Sequence, residues 1–380
     1  MEEIINVYKG NDCQEYKIDV LRAELSQYLK CERLNFLFGS GCSSYMENET
    51  EIAIPTMGGL FDNFFEQNPD FKVGGIDPRD KCNKNLELLM DYLVSIKMAS
   101  NLLTSIDEQI DEKIETVQSY IKKAIVEGQK CDKVFNLYRI FYTKLVQASS
   151  KNPINIFTTN YDLFNEKALD DLGFFYNNGF SGTYKRTFNP NSYNYVFVEN
   201  MNLNKDVWGE LSNFYNLFKI HGSINWAVED DTVVEKSVEL CTEDRVMIYP
   251  TPQKDRSTLM TPYSDLMRNM QQLLSRKNSV LITLGYSFSD DHINRIILNS
   301  LSIPSFKLIV FGKSDGIKNL TKLNDKRIIV INSADNIHFF KSFVEKVMPD
   351  LDKDLIMEFK LKDGLTAIKE FMTSDGEKDE

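Results

Sequence analysis

No two of the six cysteines, at positions 13, 31, 42, 82, 131 and 241, stand close enough to make a Cys-x-x-Cys pair. A structural zinc site therefore has no framework in this sequence. No stretch approaches the roughly 18 apolar residues of a membrane span, and Met1-Glu2-Glu3 opens the chain without a basic region followed by an apolar one. A soluble, cytoplasmic protein with reduced thiols is expected. Positive charge is outnumbered, 44 Lys and Arg against 56 Asp and Glu, and the net charge of −12 repels a phosphate backbone over most of the surface. Broad nucleic-acid binding is disfavoured, which leaves room only for a local basic patch. Internal repeats and low-complexity linkers are also missing. What is present is ordinary for a globular protein, 42% hydrophobic and 26% charged residues over a 380-residue chain, and one large domain, or one domain with insertions, is the natural expectation.

Between residues 16 and 30, Ile18, Leu21, Leu25 and Leu29 recur at helical spacing and lead into an apolar run from Leu34 to Phe38, read as a first buried strand. Gly39-Ser40-Gly41 then predicts a tight turn. From about 80 to 150 the sequence is polar and helical in period, without Gly or Pro between Lys81 and Glu127, and reads as a helical insertion. A second short apolar run, Pro153 to Phe157, ends in Thr158-Thr159-Asn160-Tyr161-Asp162 and a helical stretch to Leu172. Residues from about 175 to 250 read as a smaller, irregular β-containing insertion with short alternating pieces such as Tyr193 to Val198. Within it Leu217 to Ile220 runs into His221-Gly222. Later Val280 to Leu284 ends in Gly285-Tyr286-Ser287, and Lys307 to Phe311 ends in Gly312. Apolar runs that finish in polar or glycine residues are what parallel strands delivering functional groups to one sheet edge show. The fold class is therefore α/β, a Rossmann-like parallel sheet with two insertions. The core is expected over 1–335, followed by a helical segment and an acidic, solvated tail over 336–380.

Individually, the chemistry-bearing residues admit plain structural readings. Gly39-Ser40-Gly41-Cys42-Ser43 follows a strand, so N–H groups of the turn and the next helix can face a pyrophosphate, yet position 44 is Ser where the dinucleotide fingerprint has a third glycine. Asp162 can open the helix to Leu172, with Asn160 shaping the turn. His221 ends a strand, and a lone histidine is often a hydrogen-bonded core residue. Asp290 and Asp291 can be metal ligands of a hydrolase, but their place before an apolar helical run favours a helix cap.

Taken in order, Gly-x-Gly-x-Ser, Ile54-Pro55, Thr-x-Asn-x-Asp, His-Gly and Gly-x-Ser over roughly residues 30 to 315 resemble the sirtuin family. The resemblance implies that Gly39, Ser40, Gly41, Gly285 and Ser287 hold the phosphates and ribose of NAD+, together with Ser43 and Thr158 of the same motifs. It implies that Asn160 sits beside the reacting ribose, Asp162 holds the nicotinamide carboxamide and His221 acts as base. Departures are also visible. Ile54-Pro55-Thr56-Met57 stands where sirtuin deacetylases carry Ile-Pro-Asp-Phe-Arg, Thr159 replaces a usual Gln, and the zinc-ribbon cysteine pairs are missing. The chain looks more like sirtuin-like effectors of bacterial anti-phage defence that degrade NAD+. That resemblance further implies a homo-oligomer acting with a HerA-like hexameric ATPase, since about 45 residues after the core are too few for a fused sensor domain. The expected activity is NAD+ glycohydrolysis without zinc. Protein deacylation, non-catalytic sensing of NAD or ADP-ribose, and a metal-dependent nuclease using Asp290 and Asp291 are the alternatives.

Overall fold

A computed structural model describes residues 4–47, 50–100, 109–146, 153–202, 207–211, 213–238, 245–247 and 261–350. The acidic tail expected at 375–380 and Cys241 lie outside the described residues. In chain order the first half comprises β1 (Ile5–Lys9), β2 (Asp12–Tyr16), α1 (Ile18–Leu29), β3 (Arg33–Phe38), β4 (Ser44–Glu47), β5 (Thr50–Ala53), α2 (Met57–Gln67), α3 (Leu86–Ser100), α4 (Ile110–Gly128), α5 (Asp132–Leu145), β6 (Ile154–Thr158) and α6 (Phe164–Asp171). The second half comprises β7 (Tyr176–Asn177), β8 (Phe180–Ser181), β9 (Arg186–Phe188), β10 (Val198–Asn202), β11 (Val207–Glu210), β12 (Tyr215–Lys219), β13 (Gly222–Glu229), β14 (Thr232–Glu235), β15 (Arg245–Met247), α7 (Tyr263–Leu274), β16 (Ser279–Leu284), α8 (Asp291–Ser300), β17 (Lys307–Phe311), α9 (Asp315–Thr321) and β18 (Ile328–Ser333).

The main sheet has the order β2-β1-β18-β17-β16-β3-β6-β12-β7. From β18 to β7 every pairing is parallel, and β1 and β2 add an antiparallel hairpin at one edge. Strands buried on both faces are predominantly apolar, and β3, β6, β12 and β16 are, with Asn35, Asn155 and Asn216 hydrogen-bonded to one another across three of them. Their side chains divide with period two. Leu34, Phe36 and Phe38 face a core shared with α1 and α5, whereas Leu37 faces a second core shared with α7, α8 and α9. The α/β class and the parallel sheet expected from the sequence are present. After β3 the chain moves outward through β6 to β12, then returns to lay β16 on the other side of β3. Loops after β3 and β16 therefore leave the same sheet edge in opposite directions, and this switch point opens a crevice at the carboxyl ends of the strands.

Several local expectations differ from the structure. The glycine turn does not run directly into an α-helix: a 3₁₀ turn at Ser40–Cys42 and the β4–β5 hairpin come first. Tyr193 to Val198 is not a strand, because Pro190–Asn194 is a 3₁₀ turn and β10 starts only at Val198. The hairpin β1–β2 and strand β18 were not read at all. β2, Asp-Cys-Gln-Glu-Tyr, has almost every residue exposed and no hydrophobic alternation, as suits a polar edge that resists further pairing. Beyond residue 335 the described chain forms only a short helical stretch, Phe340–Val347.

Within the 80–150 segment, α5 is part of the central core. Phe141 meets Phe36 at 5.1 Å and Phe38 at 5.2 Å between ring centroids. Phe141→Ala should therefore cost about 3–5 kcal/mol, whereas Ile140→Ala on the exposed side of the same helix should change stability by under about 0.5 kcal/mol. Chemical denaturation of both variants checks the contrast. Equal effects would place α5 outside the core.

Candidate active site

Four strand tips, those of β3, β6, β12 and β16, converge at the crevice, and backbone hydrogen bonds lock them in step. Thr159 N donates to Phe38 O at 3.0 Å, Ile220 N to Thr158 O at 2.9 Å, and Gly39 N to Leu284 O at 2.9 Å. The loops after β3 and β16 then cross with almost no space between them. A Cβ on Gly39 would lie 2.4 Å from Gly285 O, one on Gly41 2.9 Å from Gly285 Cα, and one on Gly285 2.6 Å from Cys42 N. Gly285 also has φ +61°, whereas Gly39 has φ −106°, which any residue adopts. Gly39 and Gly41 are thus required by close approach rather than by turn conformation.

A cavity of about 220 Å³ opens beside this crossing, lined on its polar side by Ser40, Ser43, Asn160, Asp162, His221, Gly285, Ser287 and Asp290. Its apolar side comes from Ile54, Pro55, Met57 and Leu60 after the β4–β5 hairpin and from Ile121 and Ile125 of α4. Glu51 pins that side. Its carboxylate accepts from Ser44 Oγ at 2.6 Å, Thr56 N at 2.9 Å and Thr56 Oγ1 at 3.1 Å. A larger cleft of about 740 Å³ lies at the opposite end of the strands, against Arg33, Asn155 and Arg276, and contains none of the candidate catalytic or NAD+-binding residues.

Asn160 is buried, and its amide nitrogen donates to Gly39 O at 2.9 Å and Ser43 Oγ at 2.7 Å. A carbonyl can only accept, so the nitrogen must face Gly39, both amide hydrogens are engaged, and Oδ1 is the end left over. Ser43 Oγ donates onward to Asp162 Oδ2 at 2.6 Å, and Asp162 Oδ1 accepts from Phe164 N at 3.1 Å. The helix expected to open at Asp162 has its N-cap one residue later, at Leu163, while the Asp162 carboxylate caps from outside. Beneath this loop Lys219, at the end of β12, is buried. It donates to the carbonyls of Asp162 and Tyr161 and pairs with Glu166 at 3.1 Å. Burial pushes the Glu166 carboxyl above the usual carboxylate range, against the pull of Lys219.

His221 follows β12, and its Nε2 lies 3.1 Å from Asp290 Oδ2. Asp290 is the N-cap of α8, with Oδ1 accepting from His292 N at 3.0 Å and Ile293 N at 3.3 Å. Cap and histidine partner are thus the same carboxylate. His338 stands apart, where burial and then the charge of Lys313 hold it down at about 4.

Of the residues singled out in the sequence, Ser40, Ser43, Asn160, Asp162, His221, Gly285 and Ser287 line the cavity together. Gly39, Gly41 and Thr158 do not. The glycines form the crossing behind it, and Thr158 Oγ1 accepts from Asn160 N at 3.0 Å. Glu51, Lys219 and the second role of Asp290 were missed. Lys219 and Asp290 act through contacts between elements far apart in sequence, which spacing does not carry, whereas Glu51 bonds Ser44 and Thr56 within its own hairpin and the turn after it, which were not read as such. Among the described residues no group of three or more His, Cys, Asp or Glu is placed to hold a metal ion, and no helix is long and apolar enough to cross a membrane.

A family model described as a SIR2-like domain matches residues 154–331, just under half of the chain. That span contains Asn160, Asp162, His221 and the loop from Gly285 to Asp290, while the glycine turn after β3 precedes it. No curated protein matches the chain. Among solved structures, one of Sir2Tm bound to a propionylated peptide aligns with 14% identity and a TM-score of 0.38, covering 86% of this chain and 96% of that one. A Sir2–p53 peptide–NAD+ structure aligns with 15% identity and a TM-score of 0.32, covering 77% and 87%.

The chain of hydrogen bonds through Ser43 makes a stability prediction. Ser43→Ala leaves Asp162 Oδ2 without that donor and one amide hydrogen of Asn160 unpaired in a buried setting, at a cost of about 1–3 kcal/mol. Urea unfolding measures it. A loss below about 0.5 kcal/mol would mean that the chain does not hold the loop.

Proposed function

We propose that this chain binds NAD+ at the switch-point crevice and hydrolyses the bond between nicotinamide and ribose, releasing nicotinamide and ADP-ribose. The observation that carries the reading is the fixed carboxamide of Asn160, whose two donor bonds leave Oδ1 for the cavity. Nicotinamide in NAD+ is already a cationic leaving group, so departure needs no strong acid, and the barrier lies in positive charge growing on the sugar. An amide oxygen held in place favours that charge and aligns the nucleophile. Neutral His221 takes a proton from the attacking water or a ribose hydroxyl, a contribution of about 10² to 10⁴ in rate. The C–N bond breaks, oxygen of water bonds to the ribose carbon, and one proton is released. The SIR2-like match over 154–331 supports the choice of substrate.

Hydrolysis is favoured over protein deacylation by the sequence around the site, with Thr56-Met57 in place of the acid and arginine of the deacetylase motif and no Cys-x-x-Cys pair. The proposal extends, on resemblance alone, to depletion of NAD+ in anti-phage defence by a cytoplasmic homo-oligomer of this chain with a HerA-like ATPase. Light scattering with and without that ATPase tests the assembly.

Chromatography of NAD+ incubated with the purified chain, alone and with the ATPase, tests the chemistry. Wild type should produce equal nicotinamide and ADP-ribose, and Asn160→Ala and His221→Ala should each lose at least about 10²-fold in rate. Calorimetry should find Asn160→Ala binding intact NAD+ with much of the wild-type affinity, because Oδ1 acts mainly as charge develops. Unchanged NAD+ in both conditions would contradict the reading, and NAD+ turnover only with an acetyl-lysine peptide would replace it with deacylation.

A further inference from the structure

We infer that Asp290 is a positioning residue that sets the tautomer of His221, an inference that rests on the proposed role of His221 as base. Three features of the structure carry it. A carboxylate in its ionised form only accepts, so at 3.1 Å from Asp290 Oδ2 the Nε2 atom of neutral His221 must bear the proton. Nδ1 is then the ring's acceptor. Asp290 is itself unable to turn freely, because Oδ1 is held by the His292 and Ile293 amides at the first turn of α8 and both residues of the pair are largely buried, at 12% and 8% side-chain exposure. Finally, the approach is made by a loop with no slack. Phe288 takes φ +59°, in the left-handed region, and Tyr286 Oη donates to Asp290 O at 3.3 Å, which returns the chain to the sheet edge where β12 ends.

The arrangement couples helix α8 to the base. At the N-terminus of that helix, an ionised Asp290 keeps the proton of a neutral His221 on Nε2. Asp290→Asn tests the coupling without dismantling the fold, since Asn is as good an N-cap as Asp and retains an oxygen for the two amides. With that oxygen on the amides, its NH₂ group faces His221 and donates to Nε2. The ring must then carry its proton on Nδ1, and the acceptor is lost.

The experiment is a long-range ¹H–¹⁵N correlation spectrum of the full chain labelled at histidine, recorded where the rings are neutral. Only three histidines are present, and His221→Gln identifies the signal. Wild type should give the Nε2–H pattern for His221 and Asp290→Asn the Nδ1–H pattern, with His292 and His338 keeping theirs. Where NAD+ is cleaved, Asp290→Asn should also lose about 10²- to 10⁴-fold in kcat with KM little changed, and Asp290→Glu should recover part of it. An Nδ1–H pattern or a mixture in wild type overturns the inference, as does an unchanged Nε2–H pattern in Asp290→Asn; a switched tautomer with normal turnover upholds the pair and removes His221 as the base. A switched tautomer with no NAD+ cleavage by either protein upholds the pair and removes the catalytic reading instead, so the two failures are distinguishable.

Discussion

The crossing of the loops after β3 and β16 is the constraint on which the site depends. With a Cβ at Gly39, Gly41 or Gly285 the two backbones would overlap, so glycine at these points sets how near the halves of the sheet edge approach. The crossing also fixes where Gly39 presents its carbonyl, and that carbonyl decides which way the Asn160 amide faces. A steric requirement between two loops thereby fixes which end of the amide is left over, its oxygen rather than its NH₂ group.

Around that crossing the polar groups are buried and tied to one another. Asn160, Ser43 and Asp162 form one chain, Lys219 and Glu166 hold the same loop from below, and Asp290 joins the start of α8 to His221. Removing one partner of such a buried set exposes the rest to an uncompensated desolvation cost, so the set holds a single geometry at the expense of tolerance to change. On the other side, apolar residues from the β4–β5 hairpin, α2 and α4 close the cavity, and Glu51 keeps the hairpin in register with them.

Much of this was legible in the sequence. Mainly apolar runs ending in Gly or polar residues identified β3, β6, β12, β16 and β17, and their order placed Asn160, Asp162 and His221 at one edge. The edge hairpin β1–β2 was not legible, because a short polar strand has no periodic signal. For Gly39 and Gly41 the position was read but the reason was not: their dihedrals are ordinary and the demand comes from Gly285, on another strand. Asp290 was half legible. Its place before an apolar helical run marks a cap, whereas the second carboxylate oxygen meets His221 only because β12 and β16 end at one sheet edge.

The central claim is that the switch-point crevice is where NAD+ is bound and cut. A crystal structure of Asn160→Ala with intact NAD+ tests it most directly. The account predicts pyrophosphate against the loop crossing at Gly39–Gly41 and Gly285, with the nicotinamide-bearing ribose beside position 160 and His221. Dinucleotide found instead in the cleft against Arg33 and Arg276, or turned so that adenine lies beside His221, would contradict it.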